Sequence, residues 1–490
     1  MKLKELLNGT GISPKFDMDI SGVSINSKNI GPSYIFFALK GSKTDGNLFI
    51  KEAISKGAAV IVSEDDITED VKFIKSNDIL KTLSVVSKNF YSDPSARLYT
   101  VGVTGTKGKT TVSYIIENIL NSSGINSGVI GTINYRSHKR IISPSENTTP
   151  LAPRLNEILC EIINDGDKSV VLEVSSHSLK LKRVDDISFD AAVFTNLQSD
   201  HLDFHKDLAD YASSKLHLFE LLNQSNKNNK VVAINADDPF SKKIIDRLDS
   251  NIRVIGYSLN NSSELRAKNI ELKADSSSFE INDSGQVFRF ETHLIGKHNI
   301  YNILASLSLA KHLNIDFNQL IDIIRNIKGV KGRLEKIDSG HGFYVYIDYA
   351  HTEESLRQVL KTLNSVPHKR IITVFGCGGD RDKTKRAPMA DVSAELSDFV
   401  IITSDNPRTE DPEKILDDIE KKFLEKKSKN YKRIIDRKEA IFFAINEARA
   451  GDILLVAGKG HEDYQIIGSN KIHFSDAETV SEALKEKYGT

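Results

Sequence analysis

The stretch Tyr99-Thr-Val-Gly-Val-Thr-Gly-Thr-Lys-Gly-Lys-Thr-Thr-Val112 constrains this chain more than any other. A β-branched run stops at a tight glycine loop, and a helix is predicted to open at Thr110. Strand, glycine loop and helix in that order commit the segment to an α/β unit that offers an anion the start of a helix. Gly105 and Gly108 let the backbone approach an anion closely, with consecutive N–H groups turned inward. Lys109 adds a point charge, and Thr110 offers a hydroxyl to a Mg²⁺ ion held by phosphates. The candidate phosphate-binding set is Gly105, Thr106, Lys107, Gly108, Lys109, Thr110 and Thr111. The strict pattern of Gly, four residues, Gly-Lys and then Ser or Thr is not met, because its first glycine would fall at Val103.

Composition narrows the class of protein. At 490 residues the chain is too long for one core, and its size suggests about three domains. A net charge of −1 gives no charge-driven affinity for nucleic acid or for a membrane surface. Cys160 and Cys377 are the only cysteines, which excludes a disulfide framework and suits a reducing cytosol. No apolar run reaches membrane-spanning length, and Met1-Lys-Leu-Lys-Glu-Leu-Leu7 reads as a short amphipathic helix. The expectation is a soluble cytoplasmic protein with no nucleic-acid partner and no membrane insertion.

The pattern of apolar runs divides the chain. Buried strands are predicted at 34–39 and 58–62 with a helix at 49–56, and Ser92-Asp-Pro-Ser95 reads as a linker. The phosphate-loop unit adds strands at 169–174, 191–195 and 230–234, an alternating antiparallel region at 265–292 and a helix at 299–313. A third unit repeats strand and helix with strands at 344–349, 370–375, 399–403 and 452–456. Segments 223–229 and 425–432 read as solvated loops or helix faces. Each strand of the third unit runs into a polar motif: Asp348-Tyr-Ala-His351, Gly376-Cys-Gly-Gly-Asp-Arg-Asp382, Asp405-Asn-Pro-Arg408 and Gly458-Lys-Gly-His-Glu462. The carboxyl ends of parallel strands form the ligand edge of an open sheet, so four polar loops on one edge predict one site.

Glu173 and His201 each stand just past a strand of the phosphate-loop unit. Together they can hold a divalent cation against nucleotide oxygens; either alone reads equally as a structural polar group. Lys215 shares a helix face with Tyr211 and Phe219, and its spacing alone predicts a surface lysine with its stem on apolar neighbours. Arg381, Asp405, Asn406, Arg408 and Glu462 bring both signs of charge to the third unit's edge. Arginine grips a carboxylate and a carboxylate grips an ammonium, so the set suits a zwitterionic amino acid, with capping, solvated salt bridges and a plain Asp405-Asn-Pro turn as the alternative.

The motifs, in chain order, resemble those of the Mur ligases of peptidoglycan assembly. They are Thr104-Gly-Thr-Lys-Gly-Lys-Thr110, Asn147-Thr-Thr-Pro150, Glu173-Val-Ser-Ser-His177, Asn196-Leu-Gln-Ser-Asp-His-Leu-Asp203, Lys215, Gly296-Lys-His-Asn-Ile-Tyr-Asn302, Gly332-Arg333 and Asp348-Tyr-Ala-His351. The resemblance covers essentially the whole chain. It implies an α/β fold of three domains: residues 1–96 binding UDP, 97–331 a central phosphate-loop ATPase and 332–490 a Rossmann-like, amino-acid-binding domain. It implies an ATP-dependent, ADP-forming ligation through an acyl phosphate, with ATP and Mg²⁺, a UDP-linked muramoyl dipeptide and an amino acid as ligands, in a monomer. Within the family, the motifs at 376–386, 405–408 and 458–462 are similar to those of members that add meso-diaminopimelate to D-glutamate.

By the same resemblance, Lys109, Lys215, His201 and Glu173 are catalytic, and Thr110, Glu173 and His201 are metal-site residues. Asn299, Asn302, Arg333 and Asp348 join the loop around ATP. Ser27, Thr148, Thr149, Ser175 and Arg183 contact the UDP-muramoyl dipeptide. Arg381, Asp405, Asn406, Pro407, Arg408, Gly458 and Glu462 bind diaminopimelate, with Arg408 on the distal carboxylate, Asp405 and Glu462 near the distal ammonium and Arg381 on the other carboxylate. Lys215 is carbamylated, which turns a cation that would repel Mg²⁺ into an anion. The chain departs from the family at Asn26-Ser-Lys28, where the pattern is Asp-Ser-Arg, at Leu181, where some relatives have Gln, and at Phe474-Ser-Asp-Ala477. Three rivals remain. Arg408 argues against the lysine-adding ligase, and a UDP-binding unit at Ser27 to Glu64 argues against folylpolyglutamate synthase. A non-ligating nucleotide switch would need no zwitterion pocket.

Overall fold

The computed structural model describes residues 1–41, 44–201 and 203–489. By its internal packing the chain forms two compact units, residues 1–266 with 302–316, and residues 267–301 with 317–490.

The first unit opens with a four-stranded parallel sheet, in the order Gly22–Ser24, Tyr34–Phe37, Ala58–Ser63 and Lys72–Lys75. Alternate residues Ile35, Phe37, Val60 and Val62 face one core with Leu3, Leu6, Leu83 and Val86, the last two from the helix Ile79–Phe90. The expected linker at 92–95 is an ordered turn. Asp93 takes φ +47° and its carboxylate accepts from Ala96 N, while Pro94 and Ser95 are buried. The unit's larger sheet runs, by neighbours, Arg253–Ser258, Val231–Asn235, Ala191–Phe194, Tyr99–Thr104, Ser169–Glu173 and Ser127–Ile130, all parallel. Asn134–Arg136 and Ile141–Pro144 extend it antiparallel. Tyr99–Thr104 lies in the middle, so its loop emerges where the neighbouring strands also end.

The second unit contains the antiparallel meander Leu265–Leu272, Ser277–Asp283 and Gln286–Thr292, the region the alternation predicted. Phe317 of the helix Phe317–Asn326 packs against Phe288 and Phe290 of that meander. The unit's main sheet runs Glu335–Asp338, Tyr344–Asp348, Ile453–Ala457, Ile371–Cys377, Phe399–Ser404 and Tyr431–Arg433. All neighbours are parallel except the first pair. Ile453–Ala457 is buried at every position, as expected of a parallel strand covered on both faces. Segment 425–432 is a helix end, a loop and the start of an edge strand with no buried residue, in keeping with the solvated reading, though Tyr431 packs on Phe423 with ring centres 4.6 Å apart. A short hairpin, Tyr464–Ile467 with Asn470–His473, was not legible in the sequence. Among the described residues no helix is long and apolar enough to cross a membrane.

Candidate active site

The phosphate loop is held from both sides. Gly105 has φ +147° and Gly108 φ +88°, the second serving as N-cap of the helix Lys109–Ser122, one residue earlier than expected. A Cβ on Gly105 would lie 1.9 Å from Thr195 Oγ1 and one on Gly108 2.5 Å from Asn302 Oδ1, so neither position admits a side chain. The segment after Ala191–Phe194 straps the loop down. Thr106 N donates to Asn196 O at 2.8 Å, Lys107 N to Asn196 Oδ1 at 3.0 Å, and the Thr195 hydroxyl to Lys107 O at 2.7 Å. Lys107 also pairs with Asp200 at 3.1 Å, and Tyr211 donates its hydroxyl to Thr106 Oγ1 at 3.1 Å. Thr195 and Tyr211 escaped the sequence reading, since a lone hydroxyl has no spacing signature.

Two lysines converge on one carbonyl. Lys109 folds back to donate to Gly105 O at 3.0 Å and Thr106 O at 3.1 Å. Lys215 donates to the same Gly105 O at 2.8 Å and lies 4.4 Å above the Tyr211 ring. The spacing-based expectation of a surface lysine is wrong: Lys215 is 1% exposed, because Tyr211, Lys215 and Phe219 lie on the buried face of the helix Leu208–Gln224. Burial, and then the charge of Lys109, push its pKa well below the ordinary lysine value against the opposing pull of Asp200.

Glu173 ends its strand fully buried and gathers the threonines. Oε2 accepts from the Thr110 hydroxyl at 2.9 Å and the Thr132 hydroxyl at 3.0 Å, and Oε1 accepts from Thr132 N at 2.9 Å. Its backbone carbonyl takes the Thr149 hydroxyl at 2.7 Å. Thr148 meets Thr132 at 3.2 Å, Ser175 N donates to Thr149 Oγ1 at 3.3 Å, and Arg183 Nη1 donates to Thr149 O at 2.8 Å. Thr148, Thr149, Ser175 and Arg183 therefore form one group around Glu173; Thr132 is the member the sequence did not reveal. Ser27 is engaged elsewhere, its buried hydroxyl donating to Glu52 Oε2 at 2.6 Å.

His201, at φ +55°, stands on the other flank of the loop, its ring 4.9 Å from His177 and 6.3 Å from Tyr211. Leu202 of this motif lies outside the described residues. Burial lowers the His201 pKa, helped by Lys109 and Lys215 and opposed by Asp200. Burial and then the neighbouring imidazoles bring His177 down to about 4. No direct contact joins Glu173 to His201 among the described residues. Nor do any three His, Cys, Asp or Glu side chains there lie close enough to hold a metal ion alone.

In the second unit the four polar loops meet. Gly458 N donates to Asp348 O at 3.0 Å, and Gly379 N to Asn406 O at 2.9 Å. Arg333 lies over the Tyr349 ring, which also meets His461 at 5.0 Å. Asp348 accepts from Leu334 N and Ala350 N at 2.8 Å each, and burial raises its pKa against Arg333. In the helix Lys297–His312, Asn299 is buried and donates to Ile295 O at 2.9 Å.

The amino-acid motifs hold surprises of charge. Arg408 sits at φ +53°, a strained conformation for arginine, clamped by Arg408 N to Ile466 O at 3.0 Å and Gly468 N to Arg408 O at 2.7 Å. Its Nη1 donates to Gly379 O at 2.8 Å, while Nε and Nη2 have no protein acceptor among the described residues. Asp405 and Glu462, expected near a substrate ammonium, already have a cation of the chain beside them. Lys459, fully buried, lies 3.1 Å from Glu462 Oε2 and 3.7 Å from Asp405 Oδ1. Arg381 is exposed; the buried arginine of its loop is Arg386, which binds Glu410 at 3.0 Å and Asp418 at 2.8 Å.

A parallel α/β scaffold whose central strand ends in a strapped glycine loop, backed by a buried carboxylate and a buried lysine, defines a nucleotide-phosphate-binding α/β protein. Three family descriptions match in chain order: the Mur ligase family catalytic domain at residues 19–106, the Mur ligase middle domain at 103–310 and the Mur ligase glutamate ligase domain at 332–460. The chain is 40% identical over 490 residues, 99% of each sequence, to the UDP-N-acetylmuramoyl-L-alanyl-D-glutamate–2,6-diaminopimelate ligase of Caldanaerobacter subterraneus. A solved structure of a ligase of that same name superposes with a TM-score of 0.71 at 32% identity, over 96% of each chain. The MurF ligase of Thermotoga maritima, solved with ADP, shares the fold with a TM-score of 0.61 at 20% identity, over 95% of this chain and 97% of its own. The chain belongs to the Mur ligase family.

Proposed function

We propose that the chain joins meso-diaminopimelate to the D-glutamate of UDP-N-acetylmuramoyl-L-alanyl-D-glutamate, with ATP giving ADP and phosphate. The observation that carries this reading is the full-length match at 40% identity to a ligase of that name. A D-glutamate carboxylate oxygen takes the γ-phosphoryl group and ADP leaves. The lone pair of the neutral amine then attacks the acyl carbon, the bond to phosphate breaks, and the nitrogen loses one proton to leave the amide N–H. The chain's part is to position reactants and neutralise charge.

Gly105 to Thr111 cradle the phosphates, with Lys109 swinging from the loop's own carbonyls to the β- and γ-oxygens. Oxygen donors gathered at Glu173 and Thr110 suit Mg²⁺, a hard cation that takes most of its ligands from water and phosphate. When bound, the ion screens phosphate charge. His201, on the other flank of the loop, would add an imidazole nitrogen to the groups facing the ion. Lys215, whose pKa burial and the charge of Lys109 lower, is poised to add carbon dioxide in its amine form: a nitrogen–carbon bond forms, one proton leaves the nitrogen, and the amine becomes an anionic carbamate. Thr148, Thr149, Ser175 and Arg183 hold the dipeptide and Ser27 the uridine end. Asn299, Asn302, Arg333 and Asp348 are assigned to the nucleotide on family resemblance. Arg408 grips the distal carboxylate of diaminopimelate through Nε and Nη2.

The test is phosphate release with ATP, Mg²⁺ and the UDP-linked dipeptide, adding diaminopimelate or L-lysine in turn. Diaminopimelate should be preferred on the order of 10²–10³-fold, since lysine leaves Arg408 unpaired. Arg408→Ala should erase most of that preference by weakening use of diaminopimelate. Equal or better use of lysine by the wild type would overturn the assignment, and phosphate release indifferent to any amino acid would favour a nucleotide switch.

A further inference from the structure

The second unit places a complete cation inside its own amino-acid motifs. Lys459 lies in the loop that follows the buried strand Ile453–Ala457 and is 0% exposed. Its ammonium reaches Glu462 Oε2 at 3.1 Å and Asn406 Oδ1 at 3.3 Å, with Asp405 Oδ1 at 3.7 Å and the Tyr464 ring centre at 5.5 Å. Asn406 closes the triangle by donating Nδ2 to the same Glu462 Oε2 at 3.1 Å, and Asn406 Oδ1 is fixed from behind by Ile466 N at 2.9 Å. The neighbouring buried cation, Arg437, is paired with Asp476 at 2.7 and 2.8 Å and does not serve these carboxylates by contact.

Charge counting makes the arrangement informative. Asp405 and Glu462 bring two negative charges, and Lys459 brings one positive. The cluster therefore presents a single excess anion, with Arg408 as a separate cation whose guanidinium still has unused donors. One anion and one cation match one ammonium and one carboxylate, the two charged groups at the distal centre of diaminopimelate. Without Lys459 the cluster would carry two excess anions and would favour a substrate end that is an ammonium with no carboxylate beside it.

We propose that Lys459 is a specificity-determining positioning residue: it sets the net charge of the amino-acid site and fixes the Glu462 and Asn406 side chains in place. The proposal rests on the functional reading above. It assigns Lys459 no contact with the reacting atoms, so its loss should act on recognition of the amino acid and leave the nucleotide steps intact.

The experiment compares wild type with Lys459→Met by amino-acid-dependent phosphate release, measuring kcat and KM separately for diaminopimelate, L-lysine, ATP and the UDP-linked dipeptide. Lys459→Met should raise KM for diaminopimelate about ten- to a hundredfold, the range for losing a hydrogen bond to a charged group. KM for ATP should stay within about twofold, and the ratio of lysine to diaminopimelate use should rise, because like-charge excess penalises the second carboxylate. An unchanged KM for diaminopimelate, or equal losses for all three substrates, would overturn the proposal. If Lys459→Met does not fold, Lys459→Met with Glu462→Gln restores the single excess anion. It should fold and keep diaminopimelate ahead of lysine, and a reversed preference in that pair would also overturn it. A wild type inactive with diaminopimelate would sink the functional reading instead, whatever the variants do.

Discussion

Among the described residues two lysines, Lys215 and Lys459, are at most 1% exposed, and they are sealed differently. Lys215 in the first unit has one backbone carbonyl, an aromatic face and two other lysines near it, Lys109 and Lys107, with Asp200 as the one opposing charge. Lys459 in the second unit has two carboxylates and a side-chain amide. Burial is nearly the same, 1% and 0%. What differs is the company, and company decides what a buried amine is for. An amine among cations is driven towards its neutral, nucleophilic form, a state suited to covalent modification. An amine hydrogen-bonded to a carboxylate and an amide is a fixed point that holds both in place.

The largest expected effects test the first half of that contrast. Lys109→Ala should lower turnover on the order of 10³–10⁵-fold, the scale of removing a cation from a transferring phosphoryl group. Lys215→Ala should cost on the order of 10²–10³-fold, comparable to losing one preorganised stabilising group. Added formate or acetate should restore part of the Lys215→Ala loss by standing where a carbamate would, whereas Lys109→Ala should gain nothing. Rescue of both or of neither, in steady-state phosphate release, would break the distinction drawn between the two neighbours.

Stability should separate the two buried lysines more directly. Lys215→Met removes a buried amine with no acid partner and should leave the thermal midpoint unchanged or raised. Lys459→Met strands two carboxylates and should cost about 3 kcal/mol, a shift of a few degrees. Differential scanning calorimetry of the two variants reads this, and a shift of the same sign in both would mean that their surroundings matter less than their burial.

The smallest effect concerns the ion pairs behind Arg408. Burial acts against the Glu410 carboxylate, but the Asp380 N–H, Lys383 and Arg386 outweigh it and bring its pKa down to about 2. A depressed carboxylate contributes stability above its unfolded value of 4.5 and loses it as pH falls towards 2. Glu410→Gln should therefore lower stability by about 1–2 kcal/mol at neutral pH. The gap should narrow as pH falls below 4.5. A gap that is constant from neutral pH down to pH 3 would show that charge is not what Glu410 contributes.

How much of this was legible depended on physical scale. Strands such as Tyr99–Thr104, rich in β-branched residues, and Ile453–Ala457, wholly apolar, are buried on both faces, and their composition announces them. The hairpin Tyr464–Ile467 with Asn470–His473 is exposed along its outer strand, carries no apolar alternation, and went unread. Strands ending at one edge led to a pairing of Glu173 with His201, which have no direct contact among the described residues, whereas Thr149, which does bond Glu173, was named only from the family resemblance. The burial of Lys215 was not legible, because helical spacing put it on the correct face while residue type argued for solvent, and a tertiary contact with Gly105 decided the matter. Lys459 was hidden for a related reason: it stands between two glycines that look like turn punctuation, and two of its partners, Asp405 and Asn406, come from a distant loop.

The hairpin that grips Arg408 has a further consequence. It contacts the arginine through main-chain atoms on either side, so the guanidinium's reach depends on the hairpin's path and not on the identity of its exposed residues. Its outward strand is free to drift in sequence, while its length behaves as a set-screw on the arginine. A lineage could retune which side chain the enzyme accepts by adding or deleting a residue at Gly468, which touches only the arginine's main chain, and the arginine itself would look untouched.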